Sequence, residues 1–513
     1  MSIKYNRMKK LLLISSLLLV FISGCKKSLD PTIYGSLNPT NFPKTESDFN
    51  LLVTGVYKLF TAKWSYSDGG VTGDQFFGYE FSNVHVNDAP TDIIAYFPEW
   101  GGFFDGFSKP DFNFLKTVDR RRNHIEKIRF ISKITRIIED VEKSTISDAS
   151  KTQFIAECRA ARGIIMYYLL TMYGPVPYIT DASLLGTDAE TNMKRPDRAT
   201  YVNTVADDLR FAADNLPKDP AQYGRFNKGG ALTYLMRLYL NEKTWDKAEQ
   251  AGKEIVALGY SLVPNYADVF RTATEKNSET ILAVTVDATA NGNDPNGNMN
   301  AWTFYSYPSD YPGVLASPGA KRTGGWASPS GAFTATWQFY DSFNPNDERR
   351  ALLIAQYNAV NSSGNPTGAV RDRNNMRGPV IAKYPDDDAT AFAGNDIPIA
   401  RYADVELMLA EAINEQDGPT AEAQGFINDV RNRAGLADLS GADIASKEAF
   451  RDAVLRERAW ELYLEGQRRI DLLRMGKWTQ ALSAVGKTPS PGPGLFPVPQ
   501  YMLDLGMEQT TGY

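Results

Sequence analysis

Apolar residues recur with a helical period along most of this chain. Between Asp48 and Trp64, the residues Phe49, Leu52, Val53, Val56, Tyr57 and Phe60 fall at i, i+3, i+4, i+7 spacing and predict one amphipathic helix. The same spacing predicts helices over Ile125–Val141, Phe154–Tyr173, Tyr201–Leu216, Ala231–Leu240, Ala248–Leu258, Val405–Ile413 and Phe450–Leu464. Stop signals accompany them: Gly174-Pro175 ends one, Leu216-Pro217 another, and Gly259 caps a third. From Asn227 to Tyr260 the pattern reads as a helix, a tight turn at Lys243-Thr244 and an Ala-rich second helix. Its small residues Ala248, Ala251 and Gly252 allow close helix approach. Such pairs follow the logic of tetratricopeptide arrays, although no strict period of about 34 residues can be counted. The expected fold class is mainly α, with helical pairs as the scaffold.

Two segments break the pattern. Between Trp64 and Phe114 there are fourteen aromatics in fifty-one residues, against 12% for the whole chain. Between Ala301 and Tyr340 there are ten in forty, and the two segments hold five of the eight tryptophans. Both are too rich in Gly, Pro, Asp and Asn for long helices. They predict elaborate loops with minor β structure, and ordered loops on a rigid scaffold are where function usually sits.

The start of the chain carries an address. In RMKKLLLISSLLLVFISGCKKSLD (Arg7–Asp30), a basic stretch precedes the apolar run Leu11–Ile22. That run falls short of the roughly 20 residues a membrane span needs, and it fits a secretory signal over residues 1–24. Ile22-Ser23-Gly24-Cys25 resembles a bacterial lipobox, which makes Cys25 the lipidated mature N-terminus, residues 25–37 a tether and residues 38–513 a single domain. Residues 1–24 carry four cations and no anion, so their removal takes the net charge from −6 to −10. No basic patch of the kind nucleic-acid binding needs is visible. The second cysteine, Cys158, sits in an apolar helical stretch and reads as a small buried hydrophobe.

Enzyme chemistry finds little support. There are two histidines, His85 and His124, and no HExxH, CxxC or GxSxG motif. A calcium loop starting at Asp287 fails, because Thr289 and Asn298 occupy positions that need oxygen ligands of other types. Nothing selects an acid and nucleophile pair among the scattered carboxylates. The reading is a binding protein without catalytic residues, cofactor or metal, with a surface glycoside hydrolase as the weak alternative.

Several stretches carry a family resemblance. FIAECRAARGIIMYYLLTMYGPVPYIT (Phe154–Thr180), GRFNKGGALTYLMRLYLNEKTWDKAEQAGKEIVALGYSL (Gly224–Leu262), IARYADVELMLAEAIN (Ile399–Asn414), INDVRNRAGL (Ile427–Leu436), LRERAWELYLEGQRRIDLLRMGKW (Leu455–Trp478) and LFPVPQ (Leu495–Gln500) together resemble the SusD/RagB-type lipoproteins of the Bacteroidetes. The tail departs by lacking Asn-Pro, and Arg120–Arg136 is unusually basic. The resemblance implies a SusD-like fold on an outer-membrane, cell-surface protein held to the membrane by its lipid alone. It also implies a SusC-like TonB-dependent outer-membrane transporter as partner and an oligo- or polysaccharide as ligand, with a peptide ligand as the alternative.

Sugar rings present C–H faces that stack on aromatic rings and hydroxyl rims that polar side chains take. The resemblance implies a platform built from an early and a central loop, matching the two aromatic segments. The expected ligand-binding residues are Trp100, Trp302 and Trp326, with Tyr305, Tyr307 and Asp74 secondary. Trp245, Trp337 and Trp460 are expected in packing. In the signature helix, Leu455, Ala459, Leu462 and Tyr463 should form a packed face. Glu457, Arg458, Glu461 and Glu465 should form a solvated, ion-paired one.

Overall fold

Nearly every predicted stripe is a helix in the computed structural model. It describes residues 42–513 apart from 64, 69–70, 79–81, 96–105, 119–122, 288–298, 301, 314–332, 386–392, 490–491 and 493. The scaffold helices are α1 (Ile128–Lys143), α2 (Asp148–Tyr173), α3 (Arg198–Asn215), α4 (Lys228–Asn241), α5 (Trp245–Val256), α6 (Tyr402–Asp417), α7 (Ala421–Arg433) and α8 (Lys447–Leu462). The first stripe is shorter than its pattern, with an α-helix over Glu46–Thr54 that tightens into a 3₁₀ turn over Gly55–Leu59. Ser147, Asp197, Asn227, Thr420 and Ser446 cap α2, α3, α4, α7 and α8, each side chain accepting from a backbone N–H of the first turn. Gly174, at φ 75°, ends α2 where a side chain would be strained.

The scaffold helices neighbour one another in the order α1, α2, α3, α4, α5, α6, with both α7 and α8 against α6. Gly252 explains how α5 fits between α4 and α6. A Cβ there would lie 2.6 Å from Leu409 Cδ2 and 2.7 Å from Met236 Cε. The long detour between α5 and α6 is closed by a strand pair. Sheet structure is minor: β1 (Ser65–Asp68) pairs β2 (Val71–Asp74), β3 (Thr280–Val284) pairs β8 (Ile397–Arg401), β4 (Leu353–Ile354) pairs β7 (Val380–Ile381), and β5 (Tyr357–Val360) pairs β6 (Pro366–Arg371). In the antiparallel β3–β8 pair Thr280 faces Arg401 and Val284 faces Ile397, so residues 285–396 leave the scaffold and rejoin it at one place. That excursion carries its own small core around Tyr307, Tyr311, Tyr357 and Val380. Cys158 is buried in α2 among apolar neighbours, and burial pushes its thiol well above the usual range. Among the described residues no helix is long and apolar enough to cross a membrane.

The signature helix α8 differs from its sequence reading. Its alternating charges are buried, with Glu457 at 1%, Arg458 at 3% and Glu461 at 0% exposure. The reason is that α6, β8 and the Asp347–Arg349 segment bring opposite charges onto that face. Arg401 pairs with Glu279, Glu461 and Glu465 at 2.8, 2.5 and 2.8 Å. Arg349 pairs with Asp347, Glu457 and Glu461, and Arg433 with Glu279 and Glu461. Burial opposes the Glu461 charge, but Arg433, Arg401 and Arg349 outweigh it and hold the carboxyl far below its usual range. A second chain of charges runs from Arg237 through Asp404, Arg458 and Asp471 to Arg474 and Glu411. Desolvation makes such pairs poor net stabilisers, yet each member strongly requires its partners.

Candidate ligand-binding site

Three of the expected ligand contacts belong to the interior. Trp302 is 6% exposed, Tyr305 1% and Tyr307 0%, so none offers an open ring face for stacking. Trp302 and Tyr305 lie in a short helix, Trp302–Ser306, and Tyr307 follows it. Asn300 Oδ1 accepts from Trp302 N–H at 3.0 Å at the start of that turn. The Trp302 ring then packs against His85 at 5.0 Å and Phe333 at 5.5 Å, between centroids. Tyr305 meets His85 edge-on. Tyr307 stacks parallel on Tyr311 at 5.3 Å and donates its hydroxyl to Tyr384 O at 2.9 Å. Burial lowers His85 to about 3, leaving the ring neutral at physiological pH as part of this packing.

Trp100 and Trp326 lie outside the described residues. Asp74 ends β2, opposite Ser65. Of the tryptophans expected in packing, Trp245 and Trp460 are half-buried against the main core. Trp337 packs at the excursion's small core, donates Nε1–H to Met376 O at 3.3 Å and carries the Arg373 guanidinium 4.4 Å from its ring.

The stems of both aromatic loops meet. Ile94 and Ala335 form an isolated antiparallel bridge. Around it, Ala95 N–H donates to Thr334 O at 2.8 Å and Thr336 N–H to Ile93 O at 3.0 Å. Thr336 Oγ1 also donates to Asp92 O at 2.7 Å. The joint is clamped from the C-terminal side, where the Arg468 guanidinium grips the Asp92 carboxylate at 2.9 and 2.7 Å. Asp88 accepts the Gly466 and Arg468 N–H groups at 2.9 and 3.1 Å. Burial raises Asp88 to about 7, against the pull of those two N–H donors. A cavity of about 530 Å³ opens beside the joint, lined by Ala95, Thr336, Trp337, Arg377 and Lys487 among others. That size suits a small ligand or part of a larger one. Among the described residues no cluster of three or more His, Cys, Asp or Glu could hold a metal ion.

Sequence reasoning did not find Lys487, Arg468 or Asp92. Arg468 reads as one more charge in an alternating helix, and Lys487 lies in a Gly- and Pro-rich stretch without periodicity.

Known proteins resemble this chain in sequence and in fold. A model described as the SusD family matches residues 278–493, and one described as starch-binding and associating with the outer membrane matches residues 118–240. The chain belongs to the SusD family. It is 27% identical over 486 residues to SusD-like protein P25 of Formosa agariphila, covering 88% of this chain and 87% of that one. It is 26% identical over 386 residues to the starch-binding protein SusD of Bacteroides thetaiotaomicron, covering 65% and 66%. In fold, it matches surface glycan-binding protein A from Bacteroides thetaiotaomicron, solved in complex with laminarihexaose. The TM-score is 0.71 at 18% identity, over 91% of this chain and 99% of that one. The SusD family match over residues 278–493 runs through the excursion of residues 285–396 and on through α6, α7 and α8.

Proposed function

We propose that this SusD-like protein captures an oligo- or polysaccharide at the cell surface and hands it, without turnover, to a SusC-like TonB-dependent transporter in the outer membrane. The observation that carries the binding half is the Ile94–Ala335 bridge. Trp100 follows Ala95 by five residues and Trp326 precedes Phe333 by seven, so both indoles are tethered to one joint. Two stacking rings from separate loops, with Asp74 as a polar group of the early segment, suit a sugar chain that needs flat faces and a polar rim. The relatives support the ligand class, because one is named starch-binding and a structure of like fold holds laminarihexaose.

Lipidation at Cys25 would hold the protein at the membrane, and a stable lipid tether needs more than one acyl chain. Hand-over to the transporter needs a broad contact, on the order of 2,000 Å² or more in a stable complex.

The test is calorimetric titration of the mature protein with laminarihexaose, maltohexaose and a peptide digest. Binding of a glycan that is lost in Trp100→Ala or Trp326→Ala supports the reading. Binding of the digest alone overturns the ligand class, and release of reducing ends at enzyme-like rates overturns capture without turnover. Gentle detergent extraction from native cells should co-purify a large outer-membrane barrel. Retention of Cys25→Ala in the membrane fraction would refute the anchor.

A further inference from the structure

Lys487 makes an arrangement that the signature motifs do not account for. Its ammonium donates to three backbone carbonyls at once: Ala89 O at 3.0 Å, Thr91 O at 2.7 Å and Ile94 O at 2.7 Å. These three belong to the segment that runs from the short helix Asn83–Asp88 to Ala95, the last described residue before Trp100. Ile94 is also the residue bridged to Ala335, so the lysine pins the early stem where the central stem hydrogen-bonds to it. An ammonium has three N–H donors, and here all three are matched to carbonyls. A neutral amine has only two, and its lone pair would face the third carbonyl.

We infer that Lys487 is a positioning residue, whose protonated form locks the two aromatic-loop stems together and whose neutral form releases them. The inference rests on the reading that these loops carry the ligand. Burial lowers Lys487 to about 7, against the opposing effect of Asp92. The change from three donors to two therefore falls in the physiological range. Other charged groups face the joint. Asp92 is ion-paired with Arg468, and Asp88 accepts from the Gly466 and Arg468 amides. Lys109, Asp111 and Arg377 line the adjoining cavity. Asp88 also titrates near neutrality, but it gains its charge as pH rises and then accepts its amides more strongly. Its effect on the joint is opposite in sign to that of Lys487, which lets the two be separated.

Hydrogen exchange on the mature protein at pH 6 and pH 8, normalised for intrinsic rates, tests this without any ligand. The Ala95 and Thr336 amides report the joint directly, because they donate across it. In the wild type their protection should fall several-fold between pH 6 and pH 8, while amides in the middle of α2 stay unchanged. Lys487→Met should be poorly protected at both pH values and lose the fall. Asp92→Asn removes the anion that holds the lysine charge in place, so it should move the fall to lower pH. Full protection in Lys487→Met at pH 6, or a wild-type pH profile in that variant, would overturn the inference. For a glycan that binds in the titrations above, affinity should follow the same profile. If protection behaves as expected and no glycan binds, the positioning role stands and the glycan reading fails.

Discussion

Arg401 Nη1 lies 2.5 Å from Glu461 Oε1, with the two side chains 1% and 0% exposed. The first residue ends β8 and the second lies in α8, so the contact ties the re-entry point of the excursion to the signature helix. Arg401→Leu would leave Glu279, Glu461 and Glu465 short of a cation in a dehydrated setting. A loss of about 3–5 kcal/mol is expected in urea unfolding, typical of a broken buried pair. A loss below about 1 kcal/mol would mean that Arg433, Arg349 and Lys383 balance these carboxylates alone.

Trp302 and the tryptophans of the two loops should respond in opposite ways. Trp302→Ala empties a packed site beside His85 and Phe333 and should cost about 3–5 kcal/mol of stability. Trp100→Ala and Trp326→Ala should stay within about 0.5 kcal/mol of wild-type stability. At least one of them should weaken glycan binding by about 2 kcal/mol. Thermal melts paired with titration calorimetry separate the two classes. A Trp302→Ala protein that melts like the wild type would contradict its place in the core.

Gly252 sets the distance between α5 and its neighbours. Gly252→Val would drive methyl groups into Leu409 and Met236, which stand within 2.7 Å of a bare Cβ. Both contacts are side-chain tips and can move partly, so a cost of about 1–3 kcal/mol is expected. Denaturant midpoints check it, and a neutral result would show that α5 can shift away from α6 without penalty.

Glu406 predicts a pH dependence of stability. It is 4% exposed, and burial, together with Asp429 and Glu279, raises its carboxyl from 4.5 to about 9. In the unfolded chain the proton leaves near the ordinary value. Between those two pH values the folded state therefore binds more protons, and stability falls as pH rises. The contribution is full below about 4.5 and gone above about 9. Glu406→Gln keeps the shape and removes the titration, so it should flatten this slope and be more stable than the wild type at pH 8 by about 2 kcal/mol. Urea midpoints at pH 5 and pH 8 measure it. Parallel slopes for the two proteins would show that Glu406 is ionised in the folded state.

Local pattern was enough for the elements and the family. The i, i+3, i+4 stripes placed α1 to α6 and α8 within a few residues of their ends, because a helix buries one face whatever it packs against. Gly174 and Gly259 marked ends through their own backbone freedom. The motifs from Phe154 to Gln500 carried the resemblance, and the aromatic loops announced themselves by composition.

Tertiary structure alone decided which polar faces stay dry and that Trp302, Tyr305 and Tyr307 are buried. Alternating charges in Glu457–Glu461 look solvated in isolation. They are buried because Arg349, Arg401 and Arg433, far away in sequence, converge on them. Trp302, Tyr305 and Tyr307 share the composition of a surface loop, yet packing against His85, distant in sequence, and Tyr311, close in sequence, buries them. The meeting of Ile94 with Ala335, and of Lys487 with the early stem, depends on contacts between segments hundreds of residues apart. Sequence periodicity carries no information at that range, since register between distant segments is set by packing and backbone hydrogen bonds.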